Sequence, residues 1–201
     1  MRILALLVAA ALVAFSCGGE EKPKKETFTA ETFSEEEVLL GAVTGLMWQS
    51  YDPEGVFSYL NRKTYDKAVQ YCADLSWAGF NDWRLPTIDE LRTVVEGYED
   101  IMWGGRCAVG GDCLQYTCKD KGRDDDNDTP CAQRENKYTG PGPDGCYWET
   151  PWRERFCGEY WSTSAVSDSA GCRWGLTFYD PAIFILTEAG SSAFARCVRE
   201  P

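Results

Sequence analysis

Ten cysteines stand in a 201-residue chain that opens on an apolar leader, and this combination constrains the fold more than any other feature. Arg2 precedes an uninterrupted apolar run, residues 3–15, which suits the hydrophobic segment of a signal peptide. The run is shorter than the roughly 18 residues a spanning helix requires. A chain exported in this way meets an oxidising compartment, so its cysteines are expected to pair as disulfides. The fold is therefore expected to be stapled covalently as well as packed.

The residues after the leader, Ala14-Phe15-Ser16-Cys17, resemble the lipobox of bacterial lipoproteins, whose cysteine is acylated and becomes the new N-terminus. Ser16 is small, as that pattern asks, while Ala14 stands where leucine is usual. Lipidation of Cys17 predicts attachment to a membrane through acyl chains. Gly18 in place of an aspartate favours an outer-membrane address, with simple secretion as the alternative. If Cys17 is acylated, the remaining cysteines are odd in number and one thiol has no intramolecular partner; if it is not, all can pair. The expected organisation is a leader at 1–16, an anchor and polar tether at 17–37, and one domain at 38–201.

The formal net charge is −12, and the leader contributes one positive charge to it. Nucleic-acid binding is thereby disfavoured, because that affinity rests on Lys and Arg displacing counterions from phosphates. Sulfated polysaccharides are disfavoured for the same reason. The chain has no histidine, which removes the commonest general base, the Ser-His and Cys-His pairs and imidazole zinc sites. No C-x-x-C pair offers a thiolate zinc site either. A non-enzyme is expected.

Within the domain, Met47-Trp48-Gln49 predicts a short buried strand. Thr64 can cap a helix whose apolar positions are Tyr65, Ala68, Val69, Cys72 and Leu75, with Gly79 ending it. In the stretch NDWRLPTIDELR, residues 81–92, Thr87 and Glu90 form a capping box for a second helix with Leu91, Val94, Val95 and Tyr98 as its buried stripe. Trp83 and Leu85 are expected in the core, and Arg84 on a carboxylate or backbone carbonyls. Near the C-terminus the period becomes two: Trp174, Leu176 and Phe178, then Phe184 to Thr187, then Ala193 to Val198 predict a three-stranded antiparallel meander. Two helices early and a small sheet late make an α+β domain. Between them, residues 103–158 form a long insert rich in Gly, Cys, Asp and Pro, to be ordered by disulfides.

Two groups in the insert are candidate sites. Asp124, Asp126, Asp128 and Glu135 hold the first, third, fifth and twelfth places of a calcium loop, although Thr129 stands where that loop needs glycine. Either calcium binds there or the loop is simply hydrated. Tyr147, Trp148 and Trp152 are candidate ligand contacts, able to stack on sugar rings or to anchor a protein partner, and equally able to lie in the core.

Together, Thr44 to Gln49, Gly79-Phe80-Asn81-Asp82-Trp83-Arg84-Leu85-Pro86-Thr87, Tyr160-Trp161-Ser162-Thr163-Ser164 and Arg196-Cys197-Val198-Arg199 resemble the Lcl C-terminal domain family. That bacterial family is named for the C-terminal domain of a collagen-like adhesin, and the insert at 103–158 is not covered by the likeness. The resemblance implies a C-type-lectin-like fold, related to the core of formylglycine-generating enzymes, with a long disulfide between Cys72 and Cys197. It also implies a surface binding or adhesion module recognising a glycan or surface protein. The alternative is a structural envelope lipoprotein without a small ligand.

Overall fold

The computed structural model describes residues 38–41, 43–50, 61–121, 130–132, 138–148 and 157–201. Two three-stranded antiparallel sheets organise them. In the first, β1 (Val38–Leu40) pairs with β2 (Met47–Gln49), and β2 pairs in turn with β6 (Val198–Arg199), so the two ends of the domain meet in one sheet. The β1–β2 turn closes where Gly41 N–H donates to the Leu46 carbonyl at 2.8 Å. Gly45 takes the left-handed conformation there, φ 70°, which glycine adopts without steric cost.

Helix α1 (Tyr65–Asp74) starts where the periodicity predicts and stops sooner than Gly79. Leu75 already has extended backbone, and its N–H donates to the Cys72 carbonyl at 3.2 Å. Thr64 occupies the N-cap position without a capping bond from its side chain. Val69, expected in the buried stripe, is exposed, because the face that packs is the narrower one through Ala68 and Cys72. Gly79, φ 79°, instead serves the tight turn in which Trp77 and Phe80 exchange two backbone bonds of 2.9 Å.

Helix α2 (Ile88–Thr93) carries the capping box as predicted. Thr87 Oγ1 accepts from the Glu90 N–H at 3.2 Å, and the Glu90 carboxylate accepts from the Thr87 N–H at 2.7 Å. Ser164 Oγ accepts from the Ile88 N–H at 3.0 Å, so a residue from the distant sheet satisfies another end group of the helix. Leu91 on the helix and Val94 and Val95 just beyond it are buried.

The second sheet is a meander, but one strand upstream of the sequence reading. Its strands are β3 (Glu159–Ala165), β4 (Cys172–Thr177) and β5 (Ala182–Thr187), with β4 in the centre. Residues 193–198, read as the third strand, lie outside this sheet: Ala193 bridges Lys63, Phe194 bridges Tyr160, and Val198 belongs to β6. The reason is burial on both faces. Tyr160 packs into one hydrophobic cluster with Trp174, Leu176 and Trp148, while Trp161 packs into a second with Trp83, Leu85, Cys72 and Cys197. A strand apolar on both faces lacks the alternation by which a half-exposed strand is recognised.

Among the described residues four disulfides complete the frame: Cys72–Cys197, Cys107–Cys131, Cys113–Cys118 and Cys146–Cys157. The first is the bridge that the family resemblance implies, and the other three staple the insert. Cys172 is the free cysteine among the described residues. The result is a disulfide-rich α+β domain.

Candidate binding surface

The insert leaves α2 under the control of one side chain. Arg92, in the last turn, is buried, and its guanidinium donates to the carbonyls of Ile101 (2.8 Å), Val109 (2.5 Å), Met102 (3.1 Å) and Cys107 (2.9 Å). Burial lowers its pKa and the nearby Asp89 carboxylate opposes that shift. Asp89 also accepts the Gly111 N–H at 2.7 Å. The start of the insert is thus folded around a cation, its carbonyls satisfied by the forked donor that arginine supplies.

The NDWRLP corner is equally architectural. Arg84 forks onto Glu90 with two bonds of 2.8 Å and reaches Glu200 at 3.0 Å, the carboxylate pairing expected of it. Its backbone exchanges bonds with Val198 at 2.9 and 2.8 Å, which ties the corner to the last strand. Trp83 and Leu85 are buried, as anticipated. The terminal motif closes on the same place: Arg196 donates to the Gln49 carbonyl at 3.0 Å, while Arg199 donates to Asp82 at 2.7 and 3.1 Å and stacks over Phe80 at 3.8 Å.

Two candidate ligand contacts are corrected by their surroundings. Trp148 is 0% exposed; its ring meets Phe178 at 5.0 Å and Tyr160 at 6.0 Å, and the Arg196 guanidinium lies 5.3 Å from its centroid. Tyr147 is 3% exposed, with its hydroxyl 2.7 Å from Thr139 Oγ1. Neither ring offers a face to a ligand. The Cys146–Cys157 disulfide draws this segment onto the sheet, where the Tyr147 N–H donates to the Phe178 carbonyl at 2.8 Å. The segment therefore becomes part of the core.

The aromatic side chains that do face outward are others. Trp103 is 59% exposed, Tyr116 49% and Tyr138 58%. Lys119 Nζ lies 4.7 Å from the Tyr116 centroid, and Tyr138 stacks on Tyr179 with centroids 5.7 Å apart. The sequence signal for Trp103 and Tyr138 is their setting among turn residues, Gly104-Gly105 and Thr139-Gly140-Pro141, where no periodic apolar partner calls the ring inward.

Trp152, the acidic candidates Asp124, Asp126, Asp128 and Glu135, and Cys17 lie outside the described residues. Among the described residues no cluster of His, Cys, Asp or Glu is arranged to hold a metal ion, and no helix is long and apolar enough to cross a membrane.

Buried motifs at the corners, a long bridge from helix to last strand and a stapled insert define a small disulfide-bonded α+β domain. The profile of the Lcl C-terminal domain matches residues 37–199, and the chain belongs to that family. No curated protein and no solved structure matches the chain. The family points to an extracellular, adhesin-associated module at the cell surface.

Proposed function

We propose that this chain is a surface binding or adhesion module that recognises a glycan or surface protein through its cysteine-rich insert, held at the outer membrane by acylation of Cys17. The observation that carries the proposal is the set of outward-facing aromatic rings, Trp103, Tyr116 and Tyr138, on a region stapled by three disulfides. Large rings on fixed backbone contribute contact area with little ordering entropy, which is how small domains achieve recognition. The role is proposed as non-catalytic, in keeping with a chain that has no histidine to act as base.

The test is retention of the oxidised chain on an array of glycans, run with added calcium and again with chelator. Retention supports the binding module, and loss under chelation would show that it depends on calcium, for which Asp124, Asp126, Asp128 and Glu135 are the candidate ligands. The second reading is a structural envelope lipoprotein, favoured by the burial of Tyr147 and Trp148. It predicts no glycan retention and co-purification with other envelope proteins.

A further inference from the structure

Tyr138 combines three properties that seldom occur together. Its backbone is left-handed, φ 57°, a conformation that disfavours an aromatic L-residue; its side chain is 58% exposed; and its ring is nonetheless stacked, at 25° to that of Tyr179. The strained backbone is held from both sides. Tyr138 N–H donates to the Tyr179 carbonyl at 2.8 Å, and Gly145, φ 76°, passes so close to the Tyr138 carbonyl that any Cβ there would collide with it. The strand of chain that carries Tyr138 is anchored beyond it by the bond from Tyr147 to Phe178 and by the Cys146–Cys157 disulfide. The fold thus holds an unfavourable conformation at a residue whose ring stands on the surface, stacked on Tyr179.

The chemistry around the pair selects a ligand. Tyr179 lies in the turn between β4 and β5, where burial, and after it the carboxylates of Asp180 and Glu159, raise its phenol pKa above the ordinary value; Glu159 is itself paired with Arg62. The face of an aromatic ring takes the C–H face of a sugar, while an acidic molecule, here of net charge −12, repels sulfate and uronate.

We propose that the stacked Tyr138–Tyr179 pair is a platform for an uncharged pyranose unit of a polysaccharide, the C–H face of the sugar lying on the exposed face of Tyr138. This inference rests on the binding-module reading and names the ligand class and the place for it.

The experiment compares the oxidised wild-type chain with Tyr138→Gly and Tyr138→Phe on immobilised neutral hexose and N-acetylhexosamine oligomers, beside polyuronate and sulfated oligomers. Glycine accepts the left-handed backbone, so Tyr138→Gly removes the ring and the strain together; its thermal midpoint should equal or exceed that of wild type. Retention of neutral oligomers should weaken about tenfold or more in Tyr138→Gly and persist in Tyr138→Phe. Equal retention by Tyr138→Gly, or wild-type retention confined to the anionic oligomers, overturns the platform and leaves the binding module standing. A thermal midpoint that falls in step with retention marks the ring as structural and also overturns it. Wild type that retains no glycan overturns the platform and with it the glycan form of the binding-module reading, leaving recognition of a surface protein.

Discussion

At the scale of single residues, charged groups at the corners and aromatic groups in the core have opposite sensitivities. Trp148 fills the interior, so Trp148→Ala should lower unfolding stability by about 3 to 5 kcal/mol, read by denaturant titration, through the cavity it leaves. A loss of ligand retention without loss of stability would contradict its placement. Glu90 serves both the capping box and the Arg84 fork, and Glu90→Ala should cost about 1 to 2 kcal/mol. Its pKa is set by opposing causes: burial raises it, but the Arg84 hydrogen bonds and the Thr87 N–H together hold it below the ordinary glutamate value. A depressed folded pKa means that the contribution is complete above the ordinary value of about 4.3 and is lost as the pH falls through the folded one. The stability gap between wild type and Glu90→Ala should therefore be constant near neutrality and shrink in acid, which paired unfolding curves at several pH values would reveal.

At the scale of elements, the start of the insert depends on α2 rather than on its own sequence. Four carbonyls between Ile101 and Val109 converge on Arg92, so Arg92→Met would leave them without their donor in a buried place. Limited proteolysis should then cut first within residues 101–111, ahead of the sheets; an unchanged cleavage pattern would show that the Cys107–Cys131 staple suffices alone. The two helices illustrate what local sequence can specify. The start of α2 was legible because Thr87 and Glu90 satisfy each other within four residues. The end of α1 was not, because a pattern that runs on through Leu75 can be followed only as far as the packed face allows, and Asp74 is where the chain turns away to place Trp77 and Trp83 in the core.

At the scale of the whole molecule, Cys72–Cys197 joins residues 125 apart and holds the helix to the last strand. Removing it with Cys72→Ala and Cys197→Ala together should destabilise the domain by about 4 to 5 kcal/mol in the chain-entropy account, measured against wild type under non-reducing conditions. Thiol titration of the oxidised chain, unfolded without reductant, should find Cys172 alone if Cys17 is acylated; if Cys17 is not acylated, it should find both thiols, or none where the two have paired. Much of this frame was determined by the sequence alone: disulfide bonding from the cysteines, α+β composition from a change of period, the capped second helix, and the family from motifs whose side chains prove to be corner ties. Those signals are local, or depend on residue types with a single dominant use. The strand membership of Tyr160 and Val198, the partners of the insert cysteines and the choice of which aromatics face outward were decided only in three dimensions. Tyr147 and Tyr138 sit in one short segment with similar neighbours. One is drawn into the core by the Cys146–Cys157 bridge and the Phe178 carbonyl, while the other is left standing on Tyr179, because burial depends on what the distant sheet brings beneath each ring.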